Sequence, residues 1–328
     1  MPLPSAAPVT APPQASAPNV DNMRGILFMG LGFFAFAATD AIAKILTSEL
    51  HPFQIVWFRQ LGLFAGVIMM LGFRGLHILR TPHPVLQITR GATAVCSASL
   101  FIFALAYVPL ADATAVTFIA PFVVTILGAL LLKEPVGIRR WGAVLVGFVG
   151  MLIVIRPGMG VFHPAIFFVV AAAFMFSARQ LLSRLVSGDD SVATTVSYTS
   201  LTATFLITIP LPFVWITPDS AQIILLAIAM SGCAALGESL IIRALDIAQA
   251  VVVAPIHYSL ILWSTFYGWL IFADLPDLWT TVGCGIIVAS GLYTLNRERI
   301  AAKRLNRDAR ARAEAANYAG AAASSEEI

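Results

Sequence analysis

Few side chains in this sequence can do chemistry, because few are polar at all. Of 328 residues, 59% are hydrophobic and 11% are charged, where a soluble domain carries about 25% charge. The informative charges lie inside apolar runs, where an ion is costly and function is the default reading. Asp40 and Lys44 stand four apart and share a helix face. They read as a polar pair lining a cavity or as a self-neutralising pair near a helix end. Arg59 lies about two turns into the next run. It suits an anionic or carbonyl group of a substrate, or a structural role in which it anchors backbone carbonyls or pairs with Asp40, and the structural role is the stronger reading. Glu238, in GlyGluSer, has small neighbours that allow close helix approach. A buried carboxylate can change charge during a cycle, so Glu238 is the first candidate for proton coupling; a pair with Arg243 is the alternative. Asp112, Asp246, Asp274 and Asp277 fall at helix ends and read as caps.

Aromatic residues gather in particular runs: Trp57 and Phe58, then Tyr107, Phe118 and Phe122, then His257 through Trp269. Interfacial belts account for Trp269, Trp279 and Tyr293 near helix ends. Belts do not account for His257, Tyr258 or Trp263, which sit mid-run and need polar partners. A wet cavity supplies such partners; packing against lipid or another helix is the plainer explanation. Pro109, Pro121 and Pro255 interrupt helices and free backbone carbonyls, and carriers place their sites at broken helices near the midplane. The candidate substrate-binding residues are therefore Trp57, Arg59, Tyr107, Phe118, Phe122, Pro255, His257, Tyr258 and Trp263. Asp40, Lys44 and Glu238 are the candidates for coupling or a polar cavity wall.

Other chemistries find no support. The five histidines are scattered, and neither HisGluXaaXaaHis nor GlyXaaSerXaaGly occurs. No catalytic residue, metal site or cofactor is expected, and a membrane-embedded enzyme is the remote alternative. A Walker-type glycine loop is lacking, so ATP is not the direct energy source. No filter-like loop or ring of like charges suggests a channel. Cys96, Cys233 and Cys284 lie in apolar runs and read as small packing residues.

The elements that must position these residues are membrane spans of about 20 apolar residues. Ten runs qualify: 24–46, 52–73, 86–107, 112–132, 141–155, 164–185, 192–215, 221–243, 249–272 and 279–295. The fifth and tenth are short and carry spaced glycines, which suits close helix contact and permits pairing of two copies. Lys and Arg placement sets orientation. With a cytoplasmic N-terminus, the inside connections hold Arg74, Arg80, Arg90, Lys133, Arg139, Arg140, Arg184 and Arg243, and the tail from Arg297 to Arg312 is basic. The expectation is an all-α integral membrane protein with both termini cytoplasmic.

A long repeat divides the chain. Pro135 and Pro276, Gly142 and Gly283, and Gly150 and Gly291 are each 141 residues apart. Five spans per half is an odd number, so the halves insert in opposite senses as inverted repeats. The domain reading is a disordered tail over 1–22, one five-helix repeat over 24–157, a second over 161–297, and a basic cytoplasmic tail over 298–328. No signal peptide is visible at the start.

These features resemble the drug/metabolite transporter superfamily, in its ten-helix EamA-type branch. The match is carried by PFQIVWFRQ at Pro52–Gln60, ALAYVPLADATAVTFIAPF at Ala104–Phe122, LLKEP at Leu131–Pro135 and the glycine-spaced helix that follows. The second half departs from it, with AspLeuPro at Asp274–Pro276 for LysGluPro and Thr199 in the place of Arg59. The resemblance implies a secondary carrier of a small organic metabolite in the cell inner (cytoplasmic) membrane, in contact with lipid and not nucleic acid. Relatives in this branch carry riboflavin, S-adenosylmethionine or amino acids. The aromatic, charge-poor candidate residues suit a planar vitamin-like heterocycle such as riboflavin. Export of neutral amino acids or drug-like metabolites is the alternative.

Overall fold

The computed structural model describes residues 21–133, 137–156, 163–186, 190–248, 250–297, 300 and 307. Among these residues the structure is helical and contains no strand. The elements are α1 (Asn22–Leu46), α2 (Pro52–Arg74), a 3-10 turn (Leu76–Leu79), α3 (Pro84–Leu105), α4 (Leu110–Thr117), α5 (Ala120–Leu131), α6 (Ile138–Ile155) and α7 (Ile166–Val186). They continue with α8 (Val192–Thr208), α9 (Leu211–Val214), α10 (Ala221–Ile247), α11 (Ala250–Val253), a second 3-10 turn (Ala254–Tyr258), α12 (Ser259–Phe272) and α13 (Leu278–Arg297). Among the described residues, seven helices are long and apolar enough to cross a membrane, with α4 and α5 counted as one. α6 and α8 are shorter, and the run predicted over 249–272 is broken into α11, the 3-10 turn and α12. Residues 1–20 of the tail expected to be disordered, nearly all of the basic tail over 298–328, the break at Glu134–Pro135 and the side chains of Arg139 and Arg140 lie outside the described residues.

Local chemistry sets the helix ends. Pro52 and Pro84 occupy first-turn positions, where a missing N–H costs nothing. Asp21, Ser191 and Ser220 accept from the N–H groups of Arg24, Thr194 and Ile223 and so cap α1, α8 and α10. α5 and α12 stop in the same way: Lys133 (φ 53°) and Ala273 (φ 54°), 140 residues apart, both take the left-handed conformation that closes a helix.

The bundle is turned inside out relative to a soluble protein. Phe73 and Phe213 stand about as exposed as the chain allows, while Thr39, Gln54, Gln87 and Ser177 are fully enclosed. Lipid gives apolar faces no reason to leave it, so the helices adhere through small residues and polar bridges. Ser97 Oγ donates to Ala172 O across α3 and α7, and Ser290 Oγ to Ala143 O across α13 and α6. A Cβ added at Gly32 or Gly237 would lie 3.1 Å from the other's carbonyl oxygen, so α1 and α10 touch backbone to backbone. Gly150 and Gly283 bring α6 and α13 together likewise, which is the role predicted for the short glycine-bearing spans.

The packing pairs exchange between halves. α1 lies along α10 and α7 along α3; α2 also meets α10 and α8 also meets α3; α1 meets α12 and α7 meets α5. The end of the bundle where α1 begins beside the end of α10 is termed proximal, since Asp21 N–H donates to Ile247 O there. The opposite end is termed distal.

Candidate functional site

Two broken helices meet at their breaks. α4 stops at Thr117, Phe118 and Ile119 turn, and α5 resumes at Ala120 with Pro121 in its first turn. In the other half Pro255 lies within the 3-10 turn that separates α11 from α12. The buried Phe118 ring stacks on Tyr258 at 5.1 Å and meets His257 edge-on at 5.2 Å. His257 is stacked on its other side by Phe33 of α1 at 4.7 Å. One turn further, Thr114 Oγ1 donates to Ser264 Oγ in a buried bridge between α4 and α12.

An aromatic wall continues from this crossing. Phe34 of α1 meets Trp263 edge-on at 5.1 Å and Tyr267 at 5.3 Å. The Trp263 indole N–H is buried without an acceptor among the described residues. Phe36 follows, under the guanidinium of Arg59 at 5.9 Å. Arg59 Nη1 bonds Asp40 Oδ1 at 3.1 Å with both side chains largely enclosed. The pairing of Asp40 with Lys44 that their spacing suggested does not form. Lys44 turns instead to the distal end and donates to Val108 O at 2.7 Å, because the kink before Pro109 leaves that carbonyl exposed to it.

A second charged group lies toward the proximal end. Arg90 donates to Ser183 Oγ at 2.6 Å, to Thr195 O at 3.3 Å and to Thr199 Oγ1. Sequence reasoning put Arg90 in a connecting loop; α3 begins at Pro84, and its next two turns carry Arg90 inside. Arg179 of α7 holds its guanidinium 4.9 Å from the Phe176 ring, with Nε buried and without a hydrogen-bond partner among the described residues. Glu238 makes no ion pair with Arg243. Its neighbour Gly237 seats α10 against α1, the close approach that GlyGluSer predicted. Arg179 escaped notice although it sits inside a predicted span, where any cation is a signal.

The remaining candidates lie elsewhere. Trp57 donates to Thr208 Oγ1 at 3.1 Å and packs edge-on to Trp215, an aromatic cluster at the distal rim. Tyr107 is mostly exposed and stacks on His163 at 5.0 Å. Phe122 fills the space over Gly147, where an added Cβ would fall 2.1 Å from its ring. Phe33, Phe34 and Phe36 were not singled out from sequence, though their spacing on one apolar run places them on adjoining faces of α1.

The distal end is closed by polar contacts. Arg156, which ends α6, pairs with Asp277 Oδ2, and Thr280 N–H donates to Asp277 Oδ1 at 2.8 Å. The Thr280 N–H, helped by Arg156, holds the Asp277 carboxyl below the usual carboxylate range. A notch of about 90 Å3 remains there between Tyr107, Asp112, Arg156 and His163.

Comparison with known proteins agrees with this arrangement. The EamA-like transporter family matches residues 23–156. The riboflavin transporter of Vibrio cholerae is 32% identical over 275 residues, 82% of this chain and 91% of the relative. The S-adenosylmethionine uptake transporter of Rickettsia prowazekii is 27% identical over 281 residues, covering 84% and 94%. The pseudopaline exporter of Pseudomonas aeruginosa is 26% identical over 283 residues, covering 84% and 96%. One solved crystal structure, at 18% identity, superposes with a TM-score of 0.59 over 85% of this chain and 99% of its own, and so shares the fold. With a relative this similar over nearly its whole length, the chain belongs to the EamA-like transporter family and is a multi-pass membrane transporter of the drug/metabolite type.

Proposed function

We propose that this carrier moves a small metabolite with a flat ring across the inner membrane by alternating access of two inverted five-helix halves. The observation that carries the proposal is the aromatic wall where the broken helices cross: Phe118, His257, Tyr258 and Trp263, faced by Phe33 and Phe34. Flat rings bind such a wall by stacking, and the unpartnered Trp263 N–H supplies a hydrogen bond. The exchange of packing partners between halves and the matching left-handed stops at Lys133 and Ala273 support inverted repeats. The basic residues of the inside connections support cytoplasmic termini, which makes the distal end periplasmic. On α6 and α13, Gly142 and Gly285 have nothing within 4 Å of an added Cβ and are the glycines those two helices leave for pairing of two copies.

Riboflavin is the first compound to test, since a relative is named for it. Purified carrier in proteoliposomes should show saturable riboflavin counterflow. Trp263→Ala and Tyr258→Ala should each raise the half-saturating concentration about tenfold, the scale of one lost stacking contact of roughly 1.4 kcal/mol. Counterflow untouched by both substitutions would sink the aromatic-wall assignment.

A further inference from the structure

The distal end holds two histidines in the same local arrangement but in opposite surroundings. His51 Nδ1 accepts from Phe53 N–H at 3.3 Å where α2 begins, and His163 Nδ1 accepts from Ala165 N–H at 3.1 Å where α7 begins. Both rings rest on aromatic residues at the end of α3. His51 meets Phe103 edge-on at 5.7 Å, and His163 stacks on Tyr107 at 5.0 Å. Only a neutral imidazole accepts at Nδ1, because the protonated ring donates from both nitrogens.

His51 lies between Phe53 and Phe103, and burial pushes its imidazole below the ordinary histidine value. The acid closest to it in the chain, Glu49, is exposed. His51 therefore keeps its acceptor in mild acid. His163 is exposed and lines the distal notch together with Tyr107, Asp112 and Arg156. α4, which begins beside Asp112, packs against both α6 and α7. Among the described residues the charged groups around this notch are Asp112, Arg156 and Lys44, whose amine is held at Val108 O on the notch wall. Arg156 is met by Asp277, ahead of α13, whereas Asp112 forms no ion pair. An imidazolium at His163 thus has one carboxylate to turn to, across a gap that would hold only a few water molecules.

We propose that His163 and Asp112 form a proton site that latches the distal end. A proton taken up from the distal solvent ends the bond in which Nδ1 accepts from Ala165 N–H. The imidazolium then pairs with Asp112 across the notch. That pair joins the start of α7 to the start of α4, and these two starts must part when the distal end opens. The site therefore rests on the alternating-access reading, and it adds a brake: acid on the distal side slows the cycle. A half-exposed ion pair sets the size of the effect at about fivefold in rate.

Two measurements on the full-length carrier test the site. The first is hydrogen exchange, which needs no substrate and no variant. Exchange at the Ala165 amide, corrected for the intrinsic effect of pH, should speed about fivefold between about pH 8 and about pH 5.5, the scale of one lost hydrogen bond. The Phe53 amide should not change. His163→Asn keeps an oxygen to accept from Ala165 and does not titrate, so it should remove the change. The second is riboflavin counterflow in proteoliposomes with the pH lowered on the distal side, which should slow about fivefold. His163→Asn and Asp112→Asn should each remove the slowing, and His51→Asn should leave it. Ala165 exchange that ignores acid overturns the site. Counterflow that does not slow, or slowing that survives either His163→Asn or Asp112→Asn, overturns it as well. If riboflavin is not carried at any pH, the riboflavin reading fails alone, and the exchange at Ala165 decides the proton site.

Discussion

In the first half the broken helix resumes after two residues, Phe118 and Ile119, and the break is apolar and buried. In the second half the corresponding run opens with a four-residue stub and a five-residue 3-10 turn that carries Pro255, His257 and Tyr258, and only then continues as α12. The asymmetry repeats beside the breaks. Arg59 of α2 is ion-paired to Asp40, whereas Thr199, its counterpart on α8, is a neutral hydroxyl that accepts from Arg90. Yet both helices with a break end in a left-handed residue at matching places. On the proposed inverted-repeat reading, duplication copied the backbone and the places where it bends. The polar groups were then distributed unequally, a charge pair to one half and ring-binding side chains to the other.

The sharpest way to break this comparison is to remove the charge pair from one side. Asp40→Asn strands the guanidinium of Arg59, and losing one partner of an enclosed pair costs about 3–5 kcal/mol. Thermal unfolding of the detergent-purified carrier should show a large drop, and Asp40→Asn with Arg59→Met should recover most of it. Thr199→Val, at the corresponding place, should cost much less, because Arg90 keeps Ser183 and the Thr195 carbonyl. Equal losses from Asp40→Asn and Thr199→Val would show that the halves are not divided in this way.

The next test uses the two glycines that carry an aromatic ring. A Cβ at Gly291 would fall 1.7 Å from the Tyr258 hydroxyl oxygen, and one at Gly147 would fall 2.1 Å from the Phe122 ring. Either Gly→Ala change overpacks its site by about 1–3 kcal/mol. Gly291→Ala also pushes Tyr258 off Phe118, so it should raise the half-saturating concentration of substrate as well as lower the melting temperature. Gly147→Ala should lower the melting temperature alone. A smaller effect is expected at the bridge between the breaks: Thr114→Val with Ser264→Ala removes one buried hydrogen bond, about 0.5–1.5 kcal/mol in the same unfolding measurement.

Backbone organisation was legible because it depends on periodic composition. Apolar runs, prolines at 109, 121 and 255, and glycines at fixed spacing each act through their own chain positions. The site was legible where sequence neighbours are also spatial neighbours, as for His257 and Tyr258, and at Arg59 and Asp40, where charges inside spans are so few that their pairing could be read across two helices. Lys44 shows the limit. Its spacing from Asp40 satisfies a helix-face rule, but Arg59 from another helix reaches Asp40 and a carbonyl freed before Pro109 captures Lys44. Competition among partners from different helices is a tertiary quantity. Arg90 was misplaced for a simpler reason, because a basic residue near a span end looks like a loop residue until the first turn of the helix is fixed by Pro84.

The smallest effect belongs to the contact that ties the two halves together at the distal end. Arg156 closes the first half and Asp277 opens the last helix of the second. Asp277 is nearly half exposed, and such a pair contributes no more than about 1 kcal/mol. Its carboxyl is held below the ordinary carboxylate range, first by the Thr280 N–H and also by Arg156. A depressed carboxyl stabilises at pH above its unfolded value, and the contribution is lost only as pH falls through the lower folded value. The Arg156–Asp277 contact should therefore be indifferent to pH from about 8 down to about 5, and any coupling of transport to protons in that range must enter through other groups. Counterflow by Asp277→Asn should follow the same pH profile as the unaltered carrier. A profile that flattens in Asp277→Asn would move the proton-sensitive group to this contact and make it, rather than those other groups, the unit that responds to pH.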